Sequence, residues 1–372
     1  MAFISSLSKP MTAVFIAANS PWSNKQAGVY MRATMRILPV LLALFYSTGV
    51  AQFNTSVSGT GTTAAAFLEI GVGARAMGMG GAYTAISDGP TAMFYNPAAI
   101  VWMDGYQAEF MHNEWFVGTS HDWLGFVSPL PFFNSSLGIS FTSLNYGEQK
   151  VRTAERPEGT GELYDALDFA VSLTYAAALT ENFSLGLTGK YIQQQIWNMS
   201  GSTAALDLGV FYKPPVEGLS LGMSITNFGS EIGLSGRDLD TTVDPDPDHE
   251  NVDRVPATLK TDTYPLPILF RAGISYEFQM LEFTSVLLST DLLHPTNTTE
   301  SVNVGIELGF REVVFLRAGY ENLFESEAEN GLTLGAGVDI YLSNNFGVRA
   351  DYAYGDWGLL DSVSRFSIGF AF

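Results

Sequence analysis

The chain contains no cysteine, which excludes disulfides, thiolate metal sites and cysteine nucleophiles. Charge is scarce as well. Only 15% of the 372 residues are Asp, Glu, Lys or Arg, against roughly 25% in soluble proteins. That shortage implies that much of the folded surface does not face water. Basic residues are the rarest of all: 18 Lys and Arg stand against 38 Asp and Glu, a net charge of −20. Phosphate binding needs clustered Lys and Arg, so no nucleic-acid partner is expected. The four histidines, His112, His121, His249 and His294, lack metal-ligand spacing. No G-x-S-x-G nucleophile elbow occurs. Nothing points to an enzyme, and no metal or cofactor is expected. Beyond Ala51 there is also no long apolar run, so a membrane protein of this sequence must cross by closed β-structure.

What is present begins with a leader. Met31 to Ala51 reads MRATMRILPVLLALFYSTGVA. Arg32 and Arg36 precede an apolar stretch, Ile37 to Tyr46, and Gly49-Val50-Ala51 offers small residues at a cleavage site before Gln52. The apolar run is shorter than the ~20 residues of a membrane span. Residues 31–51 therefore read as a signal peptide, and residues 1–30 as an over-long gene start. Removing residues 1–51 takes away Lys9, Lys25, Arg32 and Arg36. It leaves 14 basic against 38 acidic residues, a net charge of −24.

From residue 105 onward the chain repeats one element. In Ile268 to Phe278 the residues Ile268, Phe270, Ala272, Ile274, Tyr276 and Phe278 share a face, opposite Leu269, Arg271, Gly273, Ser275 and Glu277. Ser301 to Phe310, Leu332 to Ile340 and Phe346 to Tyr354 alternate likewise. Fourteen such segments begin near Tyr106, His121, Ser135, Leu167, Phe183, Ala204, Leu219, Ile268, Phe283, Ser301, Val313, Gly331, Phe346 and Ser364. An even number of strands about 10 residues long suits a transmembrane barrel. Connections after even-numbered segments are short. After the third and seventh they are long, Gly147 to Ala166 and Gly229 to Leu266. Long loops of one parity match extracellular loops opposite periplasmic turns. Trp115, Trp123, Trp197 and Trp357 fall near the long-loop ends and predict an aromatic girdle there. The polar faces are rich in Gly and Ser and carry Lys190, Asp207, Arg271, Glu277, Glu307, Arg317, Asp339, Arg349 and Asp351. These are expected to pair across the lumen or to contact a plug. The last strand carries Phe366, Ile368, Phe370 and the terminal Phe372 on one face. Such an ending resembles the signal that hands bacterial barrels to their assembly machinery. With the leader, it predicts an outer-membrane protein in contact with outer-membrane lipids.

Residues 52–104 fit neither pattern. Gly73 to Ile100 reads GARAMGMGGAYTAISDGPTAMFYNPAAI. It is nearly uncharged, its small residues permit close backbone approach, and Pro97 ends any helix begun near Thr91. A compact hatch in the barrel mouth is predicted. Gly71-Val72-Gly73-Ala74-Arg75-Ala76 matches G-x-G-x-x-A, but no strand precedes it and no βαβ unit surrounds it, so it does not read as a dinucleotide site. Asp244, Asp246 and Asp248 are spaced as in a calcium loop. However, Pro245 and Pro247 intervene and Val255 replaces the closing Glu, so a solvated acidic loop is expected.

The hatch resembles the N-terminal signature of the PorV/PorQ family of outer-membrane proteins, itself similar to the FadL transporters. The residues that carry the likeness are Arg75, Gly78, Gly80 and Gly81, then Asp88, then Asn96, Pro97 and Ala98. The resemblance implies an all-β, fourteen-stranded antiparallel barrel (residues 105–372) with an N-terminal hatch (52–104). Two roles follow from it, and the first is favoured because the motif is closer to PorV/PorQ than to FadL. A PorV-like barrel is a non-enzymatic component of type IX secretion, whose extracellular side binds cargo proteins and other secretion components. The loops with Arg152, Arg156, Arg237 and Arg254 would dock them. A FadL-like barrel admits a hydrophobic small molecule, here near Met77, Met79, Met93 and Phe94.

Overall fold

A computed structural model describes residues 59–130, 133–245, 254–325, 328–343 and 346–372. The leader, the first residues of the hatch and most of the acidic Asp244–Asp248 loop lie outside these. Among the described residues no helix is long and apolar enough to cross a membrane, which says nothing of strands.

Fourteen antiparallel strands close a barrel. They are β1 (Gln107–Glu114), β2 (Ser120–Leu130), β3 (Ser135–Asn145), β4 (Ala166–Ala178), β5 (Phe183–Ile196), β6 (Met199–Tyr212) and β7 (Leu219–Gly229). The remainder are β8 (Leu269–Leu281), β9 (Thr284–Pro295), β10 (Ser301–Phe310), β11 (Val314–Leu323), β12 (Leu332–Ser343), β13 (Phe346–Asp356) and β14 (Ser362–Ala371). Each pairs with its sequence neighbours, and β1 closes on β14 with Gln107 opposite Ala371. Closure leaves no strand edge unpaired. The predicted starts hold within a few residues, except that β6 begins at Met199 rather than near Ala204. Its first residues pair both with β5 and with Ser235–Gly236 of the following loop. The two long loops carry small hairpins of their own, Gln149–Lys150 with Leu163–Tyr164 and Asp240–Val243 with Val255–Thr258.

The two faces of the wall are inverted relative to a soluble sheet. In β4, Asp168, Ala170, Ser172, Thr174 and Ala176 are buried inward, while Val171, Leu173 and Tyr175 point out and are exposed. The same holds around the ring, with Phe126, Ile139, Leu187, Leu208, Ile225, Ile306, Leu334 and Ile368 outside. An outward apolar band with a polar interior is the pattern a bilayer imposes. Phe366 and Phe372 are exposed on that band, and Phe346 stacks on Phe370.

Three of the four tryptophans depart from the predicted girdle. Trp123 is 1% exposed and points inward. Its alternation phase places it on the lumenal face, where Gly125 two residues on leaves the space its ring occupies. Trp115 and Trp357 meet edge to face at the lumen mouth, ring centroids 5.2 Å apart. Only Trp197, packed on Tyr164, keeps an outer position among the four.

The hatch reaches further than the mouth. Its start lies at the long-loop end, where Ala64 N donates to Pro265 O (2.9 Å) and Asn297 Nδ2 donates to Thr63 Oγ1 and Glu69. It then runs through short helical turns, Ala66–Glu69, Ala74–Gly78, Ala92–Tyr95 and Pro97–Trp102, to the short-turn end. There Tyr106 exchanges backbone hydrogen bonds with Phe372. Such short turns have no stability of their own; the wall holds them.

Candidate functional site: the hatch and the cavity above it

Close approach of hatch to wall depends on paired glycines. Gly186 lies opposite Gly209, Gly222 opposite Gly273, and Gly305 opposite Gly319. A Cβ at Gly186 or Gly209 would run into Asn96 to Ala98, one at Gly222 or Gly273 into Thr84, and one at Gly305 or Gly319 into Met79 and Gly80. Three cross-strand glycine pairs therefore seat three segments of hatch backbone. From the hatch side, Gly80 has φ 65°, and a Cβ there would stand 2.7 Å from Tyr320 N and 2.8 Å from Val304 O. Both its backbone angle and its surroundings admit only glycine.

Most hatch backbone is not in regular structure, so its polar groups need wall partners. Ser224 Oγ donates to Tyr95 O, Ser275 Oγ to Ala85 O (both 2.7 Å) and Ser184 Oγ to Ala98 O (2.8 Å). Asp291 Oδ2 accepts from Tyr83 N, Thr84 N and Thr84 Oγ1, at 2.7 to 2.9 Å. Asn96 is wholly buried. Its Nδ2 donates to Thr84 O (3.0 Å) and Val210 O (2.9 Å), and its Oδ1 accepts from Ala98 N at 3.1 Å. It ties two hatch segments and β6 together, while Pro97 at the next position starts the following turn. Replacing Asn96 with leucine removes three hydrogen bonds and leaves the buried Thr84 carbonyl and Ala98 N–H without this partner, at about 1–3 kcal/mol each. We expect raised antibiotic permeability, measured by growth inhibition, in a barrel that still shifts on heating in detergent gels. Wild-type permeability would remove Asn96 from the hatch's attachment.

Seven of the charged residues form one continuous seam. Arg75 on the hatch grips Glu307 with a two-bond fork, Nε to Oε2 2.8 Å and Nη2 to Oε1 2.7 Å, and also pairs with Asp88. Arg317, opposite Glu307 in register, donates to it at 2.5 Å and reaches Asp351 at 2.6 Å. That second reach crosses β12, whose Gly337 leaves the path open. Arg349 pairs with Asp339 (2.8 Å) and with Asp88 (3.0 Å). Burial alone would raise the Asp88 carboxyl; Arg349 and Arg75 overcome it and hold it well below the usual carboxylate range. Three guanidiniums thus hold four carboxylates, with Arg75 and Asp88 on the hatch and the rest on the wall.

Of the other expected lumenal charges, Lys190 and Asp207 form a separate pair (2.8 Å) tied to Asn227. Arg271 lies over the rings of Phe94 and Tyr95, 5.5 Å from each. Glu277 departs from expectation: it is exposed and makes no ion pair among the described residues. It sits near the short-turn end of β8, below the seam. Met79 and Met93 also do not line a pocket, because they fill the space over Gly305 and Gly138. Sequence reading missed the buried Glu321 and Arg365. Arg365 shares the inward phase of Ser367 and Gly369, so strand alternation was the signal.

Above the hatch, toward the long-loop end, lies a cavity of about 470 Å³. Gly71, Met77, Gly81 and Tyr95 of the hatch line it, with Trp115, Trp357, Leu269, Leu293, Glu321 and Arg365 of the wall. Below, at the short-turn end, a space of about 70 Å³ is lined by Asp88 to Pro90, Arg349 and Phe370. Hatch residues border both.

No protein-family model and no curated protein sequence matches the chain. Solved structures do match. The CymD monoaromatic hydrocarbon channel is similar at 13% identity and TM-score 0.52, over 82% of this chain and 98% of its own. The Ralstonia pickettii toluene transporter TbuX matches at 14% identity and TM-score 0.50, over 81% and 97%. The Pseudomonas putida toluene transporter TodX matches at 14% identity and TM-score 0.50, over 81% and 96%. Such identities speak for the fold alone. The chain is a fourteen-stranded antiparallel β-barrel that shares the fold of these channels.

Proposed function

We propose that the chain is a gated outer-membrane channel for small, largely apolar molecules. One observation carries this reading: a cavity at the long-loop end has, as its floor, a hatch that beyond its chain link to β1 is held to the wall by non-covalent contacts. The likeness to hydrocarbon channels supports it. A ligand entering the cavity reaches the short-turn side only if the hatch moves, so the seam and the glycine seats form the gate. The chain has no cysteine, which makes an engineered pair unique. We expect Ala85→Cys with Ser275→Cys, placed where the Ser275 hydroxyl already reaches the Ala85 backbone carbonyl, to lock the hatch under oxidation. Uptake of labelled toluene by cells expressing the locked protein should fall to the level of cells without it and return on reduction. Uptake that persists in the oxidised form would overturn the gate.

The secretion reading, which the hatch motif puts first, comes second to the channel; the two loop hairpins favour it, since they present exposed Leu163, Val243 and Val255 at the long-loop end. Its test is a cross-linked pull-down from the native outer membrane. Stoichiometric exported proteins sharing a C-terminal β-sandwich would establish it; recovery of barrel with only apolar molecules would sink it. In either role Phe366, Phe370 and Phe372 serve the hand-over to the assembly machinery.

A further inference from the structure

The cavity above the hatch is not a plain hydrocarbon pocket. Arg365 is 1% exposed, yet its Nε and Nη2 have no hydrogen-bond partner. Glu321 is 6% exposed; its Oε2 accepts from Asn330 Nδ2 at 2.7 Å, and its Oε1 has no partner. Both side chains line the same cavity. Each lies within the other's electrostatic reach, but they do not form an ion pair. Buried polar atoms are almost always paired, and each unpaired one costs about 1–3 kcal/mol. Unpaired donors and an unpaired acceptor on residues that line one cavity are what a bound group with both functions would satisfy.

Wall chemistry narrows the choice. Glu69, Glu321, Glu325 and Glu329 outnumber Arg271 and Arg365 around the cavity, and Arg271 is already stacked on the hatch rings. An anionic head would meet this acidic excess. An ammonium would face Arg365 and leave its N–H groups unpaired. A bare hydrocarbon would leave every orphan as it is. A neutral hydroxyl answers both: its oxygen accepts from the Arg365 guanidinium and its O–H donates to Glu321 Oε1. Next to Arg365, which lies 5.5 Å from the Trp115 ring, stands the Trp115–Trp357 edge-to-face pair. Such a pair provides an apolar wall for an aromatic ring.

We propose that the cavity is a recognition site for a small phenol-type molecule, with an aromatic ring against Trp115 and Trp357 and a hydroxyl between Arg365 and Glu321. This deepens the channel reading and rests on it for biological purpose, but the site itself can be tested without transport. The full chain in lipid nanodiscs would be titrated with p-cresol, toluene and benzoate by equilibrium dialysis, with empty nanodiscs subtracting partition into lipid. We expect saturable p-cresol binding at least about tenfold tighter than toluene, the factor that ~1.4 kcal/mol of recovered hydrogen bonding gives. Arg365→Met and Glu321→Leu should each bring p-cresol to the toluene level and leave toluene unchanged. Toluene binding as tight as p-cresol, benzoate binding tightest, or no saturable binding would each overturn the proposal. Should a variant fail to fold, judged by heat-shifted mobility, the three-ligand comparison on the native chain decides alone. Tight p-cresol binding together with uptake indifferent to the hatch lock would keep the site and discard the channel.

Discussion

Replacing Arg75 with alanine is expected to unlatch the hatch while leaving the barrel intact. Arg75 is the hatch's guanidinium in the seam, and it neutralises Glu307 through two hydrogen bonds and Asp88 through a third. Without it, Glu307 keeps Arg317, which it shares with Asp351, and Asp88 keeps only Arg349. Leaving the buried Glu307 carboxylate under-compensated costs about 3–5 kcal/mol. That cost falls on the seated state, because a displaced hatch exposes Glu307 to water. The open population should therefore rise by about 10²-fold or more. Two measurements follow it: susceptibility of cells to large antibiotics, and protease cleavage within residues 59–104 of the purified protein. Arg75→Lys should be intermediate, since one ammonium cannot reproduce a planar fork. Arg75→Leu combined with Glu307→Leu should recover part of the closure, because no orphan carboxylate is left at that point. If Arg75→Ala stays as impermeable and protease-resistant as the wild type, the seam is not the latch.

The barrel was legible because period-two alternation, turn spacing and loop parity are local signals. Val171, Leu173 and Tyr175 read as one face in sequence and stand on one face in the fold. The hatch was legible as a segment, since a glycine- and methionine-rich run without alternation cannot be a strand of such a wall. Which charges meet was not legible. Strand phase puts Glu307, Arg317, Asp339, Arg349 and Asp351 inside, but whether a carboxylate joins the seam depends on its height along the strand. Glu277 shows this, inward in phase yet exposed near the short-turn end. Trp123 shows the converse error: position near a strand end suggested the girdle, while phase, the stronger constraint, turned it inward. The glycine pairs were hidden for another reason. Each glycine is unremarkable in its own strand, and the pairing Gly305 to Gly319 or Gly222 to Gly273 becomes visible only with the register.

Valine at Gly319 is expected to unseat the hatch, and valine at Gly189 to change nothing. The two glycines lie in similar barrel strands, and valine suits a strand better than glycine in both. What differs is what a side chain meets. At Gly189 nothing lies within 4 Å of an added Cβ. At Gly319 it would overlap the backbone of Met79 and Gly80, which cannot rotate away as a side chain would. Overpacking ordinarily costs about 1–3 kcal/mol, and backbone on both sides of the overlap puts this substitution at the upper end or beyond. The hatch stretch from Met79 to Thr84, pinned by Thr333 Oγ1 at Gly80 N and by Asp291 at Tyr83 and Thr84, should then lose its amide-exchange protection. The Asn96–Ala98 seat at Gly186 and Gly209 should lose less, being on the opposite stretch of wall. Hydrogen exchange resolved by peptide mass spectrometry reads both seats in one experiment. Protection kept at Met79 to Thr84 in Gly319→Val would mean that the glycine pairs merely tolerate the hatch and that the ionic seam alone seats it. Protection lost there, with Gly189→Val unchanged, would separate backbone seating from charge as two independent parts of the gate.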